Sequence, residues 1–439
     1  IEPQPLPERE PDPEPQPEVP IEGIEGGGTV ENPYQIATAA HLLRMQEVIN
    51  TDADTYGSGH YRLTANIDFA GGTFTGIDHF SGVLDGAGHK LFNITWAENE
   101  PGAGVAMFRM LDGATVKNLT LDGLSVHETT DVRLAGLALD ARNGVVLDGN
   151  AVLEAKLRTG NAYIAGIVAN AQDDVQITNN WVTGSFDSAR YPAAIVGYAR
   201  YGVEVRNNLV DAHIESGGRL ARGAMVMSYQ GGGSAGATTT ISENVLIGGE
   251  VAYRGGRDGV EAGRVVAITR SAGFVTENNL ANDTILVAGQ VPPTPGELNR
   301  NGTATPLADL QTQATYADLG WDFDTSWRWD ETLQHPVPER AYLFGGGTER
   351  TPFEIRGADD LEFLAHGLNV GDPTLRGEVY VELTGDLDFS GRDPFVGIDA
   401  FSGHLDGHGH TISGITYGPS AASPSLGFIR DLSGTVNGL

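Results

Sequence analysis

AGIVANAQDDVQITNNWVT, residues 165–183, decides the fold. Short runs rich in Val, Ile and Ala alternate with Gly, Asn and Asp, which is strand-and-turn chemistry. Its second half, TNNWVT, has counterparts in VKNLTL, DGNAVL, RNNLVD, SENVLI and ENNLAN. Aligned, these give one column of asparagines: Asn118, Asn150, Asn180, Asn208, Asn244 and Asn279. Its first half, AGIVANAQ, has counterparts in AGLALDAR, AAIVGYAR, AMVMSYQ and VVAITR, giving a second column of Arg142, Gln172, Arg200, Gln230 and Arg270. Two columns in phase, about 30 residues apart, imply thin repeats that bury their apolar faces only by stacking. The reading is all-β, a right-handed parallel β-helix (a solenoid), with the asparagine amides hydrogen-bonded along one ladder at a turn.

A larger repetition lies over this one. GGGT at 26–29 returns at 345–348, and GIDHFSGVLDGAGH at 76–89 returns as GIDAFSGHLDGHGH at 397–410. MFRMLDGATVKNL at 107–119 has a counterpart in GFIRDLSGTVNGL at 427–439. Residues 26–119 and 345–439 therefore read as two copies of one segment, the second stopping in mid-segment. Residues 1–25 are a Pro/Glu-rich disordered linker, because proline blocks helices and ladders and the carboxylates repel. Residues 29–338 are the first β-helix module, and 339–439 the truncated start of a second. PYQIATAAHLLRMQEVI at 33–49 carries a helical stripe of Leu42, Leu43, Met45, Gln46 and Ile49, with Thr38 as N-cap, and reads as a short N-terminal capping helix. Trp321, Phe323, Trp327 and Trp329 are expected to close the C-terminal end of the first module.

Composition narrows the function. The chain has 439 residues, 60 of them glycine, and a net charge of −31 from 58 acidic and 27 basic residues. That charge opposes nucleic acid and direct insertion into an anionic membrane. With no cysteine, disulfides and thiolate metal sites are excluded. No cofactor and no metal are expected, and 29–338 should be stable without an ion.

The runs NPYQIATAAHLLRMQEVIN, YRLTANIDFAG, GIDHFSGVLDGAGHKLFNIT and MFRMLDGATVKNLTLDGLSV, with the closing GWDFDTSWRWD, resemble surface-protein β-helices carrying GLUG-type repeats. In particular they resemble the non-catalytic β-helical region of Gram-positive zinc metallopeptidases of the immunoglobulin A protease type. The resemblance covers 29–439. It implies a bacterial extracellular or cell-wall location, which the lack of cysteine fits, and a spacer or adhesin-like scaffold. The zinc motif H-E-x-x-H of those proteases is absent, since His127-Glu128 is followed by no second histidine. The parent protein could still carry such a domain; this fragment reads as no enzyme.

Several strings imitate active sites. Asp406-Gly-His408-Gly-His410 becomes Asp85-Gly-Ala87-Gly-His89 in the first copy, which marks a turn with a structural Asp/His pair. Asn50-Thr51-Asp52, Asp173-Asp174 and Gly407-His408-Gly409 follow the order of pectinase motifs, but they lie too far apart to flank one glycosidic bond. Asp173 and Asp174 with Arg200 and Arg206 are the nearest lyase set. The alternative function is therefore a β-helix glycoside hydrolase or lyase. Tyr163, Trp181, Tyr191, Tyr198, Tyr201, Tyr229 and Tyr253 suggest instead a stacking surface for a host or environmental glycan or a protein, with Arg200 and Gln230 as donors. Neutral glycans or a basic protein patch suit the net charge best.

Overall fold

The structure is a computed structural model describing residues 18–217, 223–230, 237–254, 262–268, 274–293, 299–330, 333–339, 352–355, 357–370, 375, 378–392, 394–418 and 426–439. Residues 1–17 of the expected linker, Arg270 and the segment 340–351 at the expected module junction lie outside the described residues. The chain is all-β with a few short helices, and its large sheets are parallel. Among the described residues one sheet has nine strands, from Tyr34–Ile36 to Phe274–Glu277. A second has ten, from Ile67–Asp68 to Thr303–Thr305, and a third six, from Phe108–Asp112 to Val266–Ile268. The chain visits these sheets in rotation, so each strand pairs with its counterpart from the next repeat. Such parallel sheets are consistent with the expected β-helix.

Register explains the core. In the nine-stranded sheet Tyr34, Tyr61, Leu84, Val116, Leu147, Ile177, Val205 and Ile241 are successive partners. Every one is buried. Leu121, Val152, Val182, Val210 and Leu246 form the matching column of the ten-stranded sheet. Because strand side chains alternate faces, each column is continuous along the stack.

At the corner between these two sheets the asparagines form a ladder. Asn150 Nδ2 donates to Asn180 Oδ1 (3.1 Å), Asn180 to Asn208 (3.0 Å), Asn208 to Asn244 (2.9 Å) and Asn244 to Asn279 (2.8 Å). Each Oδ1 also accepts a backbone N–H from the preceding repeat, as Asn180 N donates to Asn208 Oδ1 (2.9 Å). Each Nδ2 also donates to a strand carbonyl, as Asn180 does to Leu147 O (3.0 Å). The buried amide thus has all four of its hydrogen-bonding positions in use. Asn118 does not belong to this ladder. It precedes the ladder position, which Leu119 holds, and Leu119 N donates to Asn150 Oδ1 (3.2 Å). Asn118 instead takes the left-handed conformation (φ 52°), like Asn179 (φ 57°) and Asn207 (φ 56°), and its Nδ2 donates to Asp85 Oδ1 (3.1 Å).

The helix Ala39–Thr51 has Thr38 as N-cap, its hydroxyl accepting from His41 N (3.2 Å). It buries Leu42, Met45, Val48 and Ile49, while Leu43 is exposed, so the apolar stripe is shifted from the expected one. Asn50 of this helix donates to Gly76 O (3.0 Å) and accepts from Asp78 N (2.8 Å), and Arg109 holds Asp78 and Thr75 O. The second copy repeats the clamp: Asn369 donates to Gly397 O (2.8 Å) and accepts from Asp399 N (2.7 Å), and Arg430 holds Asp399 and Val396 O. Gly76 (φ 89°) and Gly397 (φ 73°) occupy the left-handed region and face a carbonyl of the next repeat, which leaves no room for a Cβ. This is the physical content of the repeated GID string. It also places Asn50, read above for its pectinase-like string, in a structural clamp.

Two expectations need correction. Ile21 and Ile24, inside the expected linker, are buried in the first core, and Val19 O accepts from the Tyr34 hydroxyl. The aromatic segment 321–329 does not sit on the end of the stack; it folds back along the side of the ten-stranded sheet. Trp321, Trp327, Val337 and Tyr316 cluster with Ala151, Trp181, Leu209 and Val245, the column that faces out of that sheet. Trp327 Nε1 donates to Asn179 Oδ1 (3.1 Å) and Trp321 Nε1 to Glu243 O (2.9 Å). With Leu280 next in register after Val245, the outward column spans five repeats, and such an apolar face needs covering as much as an open end does.

These contacts separate two neighbouring asparagines. Asn180→Ala strands the donors of Asn150 and should lower unfolding free energy by about 1–3 kcal/mol. Asn118→Gly keeps the left-handed turn and should stay within about 0.5 kcal/mol of the parent. Equilibrium denaturation of the two variants checks the assignment.

Candidate binding face

The expected tyrosines lie in three sheets, Tyr163 and Tyr191 in one of three strands, Tyr198 and Tyr229 in the six-stranded one and Tyr253 in the ten-stranded one, with Tyr201 at a turn, and register decides which of them meet. Tyr163 (Tyr163–Ala165) pairs with Tyr191 (Tyr191–Pro192), and their rings stack at 5.0 Å and 12°. Tyr163 also touches Tyr198 of the neighbouring sheet, at 5.2 Å and 50°. A floor of small side chains brings them together: Ala106, Ala135 and Ala169 on one side of Tyr163, Ala224 and Ala267 beside Tyr191. Gly197 permits the approach, since a Cβ there would lie 3.3 Å from the Tyr163 Cβ and 2.8 Å from Ala169 O.

Two guanidinium groups lie on these rings. Arg190 sits 5.5 Å from the Tyr163 centroid and 5.3 Å from that of Tyr191. Arg200 sits 5.4 Å from both Tyr198 and Tyr201, and its Nε donates to Gln172 Oε1 (3.1 Å). Tyr201 is held in the left-handed region (φ 60°) at the following turn, half-buried. The result is a continuous strip of rings and guanidinium groups from Arg190 to Tyr201. Tyr191 is buried, so it serves as a base for the strip, while Tyr163, Tyr198, Arg200 and Tyr201 are half-buried and Arg190 is exposed.

Other expected members are elsewhere. Trp181 is buried beneath the aromatic cover with His335 against its ring (5.1 Å, 67°), so it offers nothing to a ligand on the tyrosine strip. Tyr253 belongs to the strand Val245–Tyr253 of the ten-stranded sheet. Tyr229 is in register with Tyr198, but Gln230 pairs with Ala199 and not with Arg200. The second column therefore slips by one residue there; the side chains of Tyr229 and Gln230 lie outside the described residues. Arg190, which the column pattern did not reveal, was signalled only by its place directly before Tyr191.

The enzyme-like strings resolve into turns and ion pairs. Asp173 and Asp174 both take left-handed turn positions, and Arg206 lies by Glu204 (3.5 Å) and Glu243 (3.9 Å). Asp85 and Asp406 cap their own turns, accepting from Ala87 N and His408 N (2.9 Å each). The expected pair of Asp406 with His410 is replaced: His410 faces Asp386 (3.4 Å) and His408 faces Glu382 (3.1 Å). Among the described residues no group of three or more His, Asp or Glu is placed to hold a metal ion, and no helix is long and apolar enough to cross a membrane.

Comparison with known proteins bears on the fold more than on the site. No family model matches the chain. It is 30% identical over 172 residues to halomucin of Haloquadratum walsbyi, a match covering 35% of this chain and 2% of that protein. The chain thus spans a very small part of the curated relative it matches. Among solved structures it is similar to a Bacteroides ovatus protein described as a "putative immunoglobulin A1 protease", with a TM-score of 0.51 and 14% identity over 72% of this chain and 95% of that one. At that identity the likeness is one of fold.

One titrating group lies under the aromatic cover. Burial holds His335 below its ordinary value of 6.5, against the opposing pull of Asp330 and Asp211. A histidine whose folded value is lowered adds stability that is full above pH 6.5 and is lost as pH falls below it, because the unfolded chain then binds the extra proton. The melting temperature should therefore fall between pH 7.5 and 5.5, and fall less in His335→Gln. Parallel melting curves of the parent and the variant test this.

Proposed function

We propose that this chain is a right-handed parallel β-helix of GLUG-type repeats. In this reading it is a non-catalytic, extended module of a secreted or cell-surface protein. It spaces or presents neighbouring parts, and it binds a host or environmental glycan or protein along the tyrosine strip. Residues 29–338 form one module and 339–439 begin another. The observation that carries the binding role is the continuous strip of Tyr163, Tyr198 and Tyr201 with Arg190 and Arg200 laid on the rings. Planar rings suit the apolar faces of sugars, and rings already packed on alanines lose little freedom on binding. The parallel sheets and the halomucin and Bacteroides likenesses support the surface-module part of the reading. A metallopeptidase domain elsewhere in a longer protein is a further part of the proposal, drawn from the resemblance alone.

A glycan array probed with the whole chain tests the binding role. Tyr198→Ala and Tyr201→Ala should each weaken the glycans found by about fivefold, the worth of one ring contact near 1 kcal/mol. Undiminished binding by both variants removes the strip as the site, and binding to nothing on the array leaves the spacer role alone.

A further inference from the structure

The pairing of charges changes along the face that carries the tyrosine strip. In the six-stranded sheet Asp112, Arg142, Gln172 and Arg200 are successive register partners. In the first two repeats the carboxylate meets the guanidinium: Arg142 donates to Asp112 through Nε (3.0 Å) and Nη2 (2.8 Å). Two repeats on, Arg200 donates to the neutral Gln172. The parallel column runs Asp140, Asn170, Tyr198. Asp140 there holds Arg133 (2.8 Å) and accepts from Asn170 (2.7 Å), after which the acid gives way to the amide and then the ring. Among the described residues neither Arg190 nor Arg200 is placed beside a carboxylate. In a chain of net charge −31, two arginines on one face left to tyrosine rings are a local exception.

We propose that Arg190 and Arg200 make this strip a site for a carboxylate-bearing polysaccharide of the uronate class. The inference rests on the binding-face reading above and names its ligand. A guanidinium laid against a ring is held in orientation while its N–H edges stay available, and that planar fork matches a carboxylate better than an ammonium does. Among the described residues Arg200 spends its Nε on Gln172 and keeps both Nη groups, and Arg190 keeps its whole fork. The two cations stand at separate points of one ring strip, joined through Tyr163 and Tyr198. Spaced anions along a sugar chain fit that arrangement, with pyranose faces over Tyr163, Tyr198 and Tyr201 between them. Net charge works at long range and is screened beyond about 10 Å in ordinary salt, whereas the two arginines act at contact. This replaces the preference for neutral ligands drawn from net charge.

The test immobilises the whole chain and measures binding of polygalacturonate, the same polymer with its carboxylates methyl-esterified, dextran sulfate and neutral dextran at 0.15 M salt. Polygalacturonate should bind best, and esterification should cost about tenfold or more. Arg190→Gln and Arg200→Gln should each weaken polygalacturonate by about tenfold with unchanged melting curves, and Arg→Lys at either position should restore only part of the loss. Equal binding of the free and esterified polymers overturns the ligand class, as does dextran sulfate binding at least as tightly. Loss in Tyr198→Ala without loss in either Arg→Gln variant also overturns it, while sparing the binding face. Binding of none of the polymers, with a different ligand lost in the tyrosine variants, again sinks only the uronate assignment. Binding that no tyrosine or arginine variant changes sinks the face itself.

Discussion

The stacked asparagine amides of Asn150, Asn180, Asn208, Asn244 and Asn279 set the constraint on which the rest depends. A parallel strand gains its partners only from the repeats above and below, so a slip of one residue turns an entire apolar column outward. The ladder opposes that slip at the corner between the two longest sheets. Each inner amide, Asn180, Asn208 and Asn244, accepts from a side chain and a backbone N–H of the preceding repeat and donates to the next amide. A slipped repeat would leave several of these groups unpaired out of water, which costs far more than the same bonds gain when made. Two features follow from register held in this way: the inward columns of Val, Ile and Leu, and the meeting of Tyr163, Tyr191 and Tyr198.

Much of this was legible because the ladder repeats its own letter. Where two asparagines stand together, as in Asn179-Asn180 and Asn207-Asn208, the first makes the left-handed turn and the second enters the ladder. Where only one appears the text is ambiguous, and for that reason the sequence pattern alone places Asn118 in the wrong column. Gly149 before Asn150 was the available clue, because glycine is the other residue that takes a left-handed turn without cost. The slip at Gln230 has the same origin: the run AMVMSYQ is shorter than AAIVGYAR, and Tyr229 against Tyr198 was the better anchor.

The aromatic segment 321–329 shows a different limit. Its need for an apolar partner was plain, but the hydrogen-bond partners of Trp321 and Trp327 lie 78 and 148 residues back along the chain, and no local pattern gives those distances. A trace of it was present on the strands themselves. Ala151-Val152, Trp181-Val182, Leu209-Val210 and Val245-Leu246 each put two apolar residues in succession where a sheet with one wet face would alternate. The tyrosine strip was half legible for a similar reason. The tyrosines were visible as composition, but Trp181 proved to be covered, and Arg190 became a member only through the pairing of Tyr163 with Tyr191. Placement on a face comes from register, and composition alone does not supply it.

The central claim is that the asparagine corner holds the register of the stacked repeats, and amide hydrogen exchange on the intact chain tests it most directly. The N–H groups of Leu119, Asn150, Asn180, Asn208 and Asn244, each donated to an asparagine Oδ1 of the next repeat, should exchange together. Their rate should match that of core strand amides such as Val182, and all should slow or quicken in step as denaturant is varied. Exchange of these corner amides at the rate of an exposed turn, with the core strands still protected, would show that register is held elsewhere and would contradict the account.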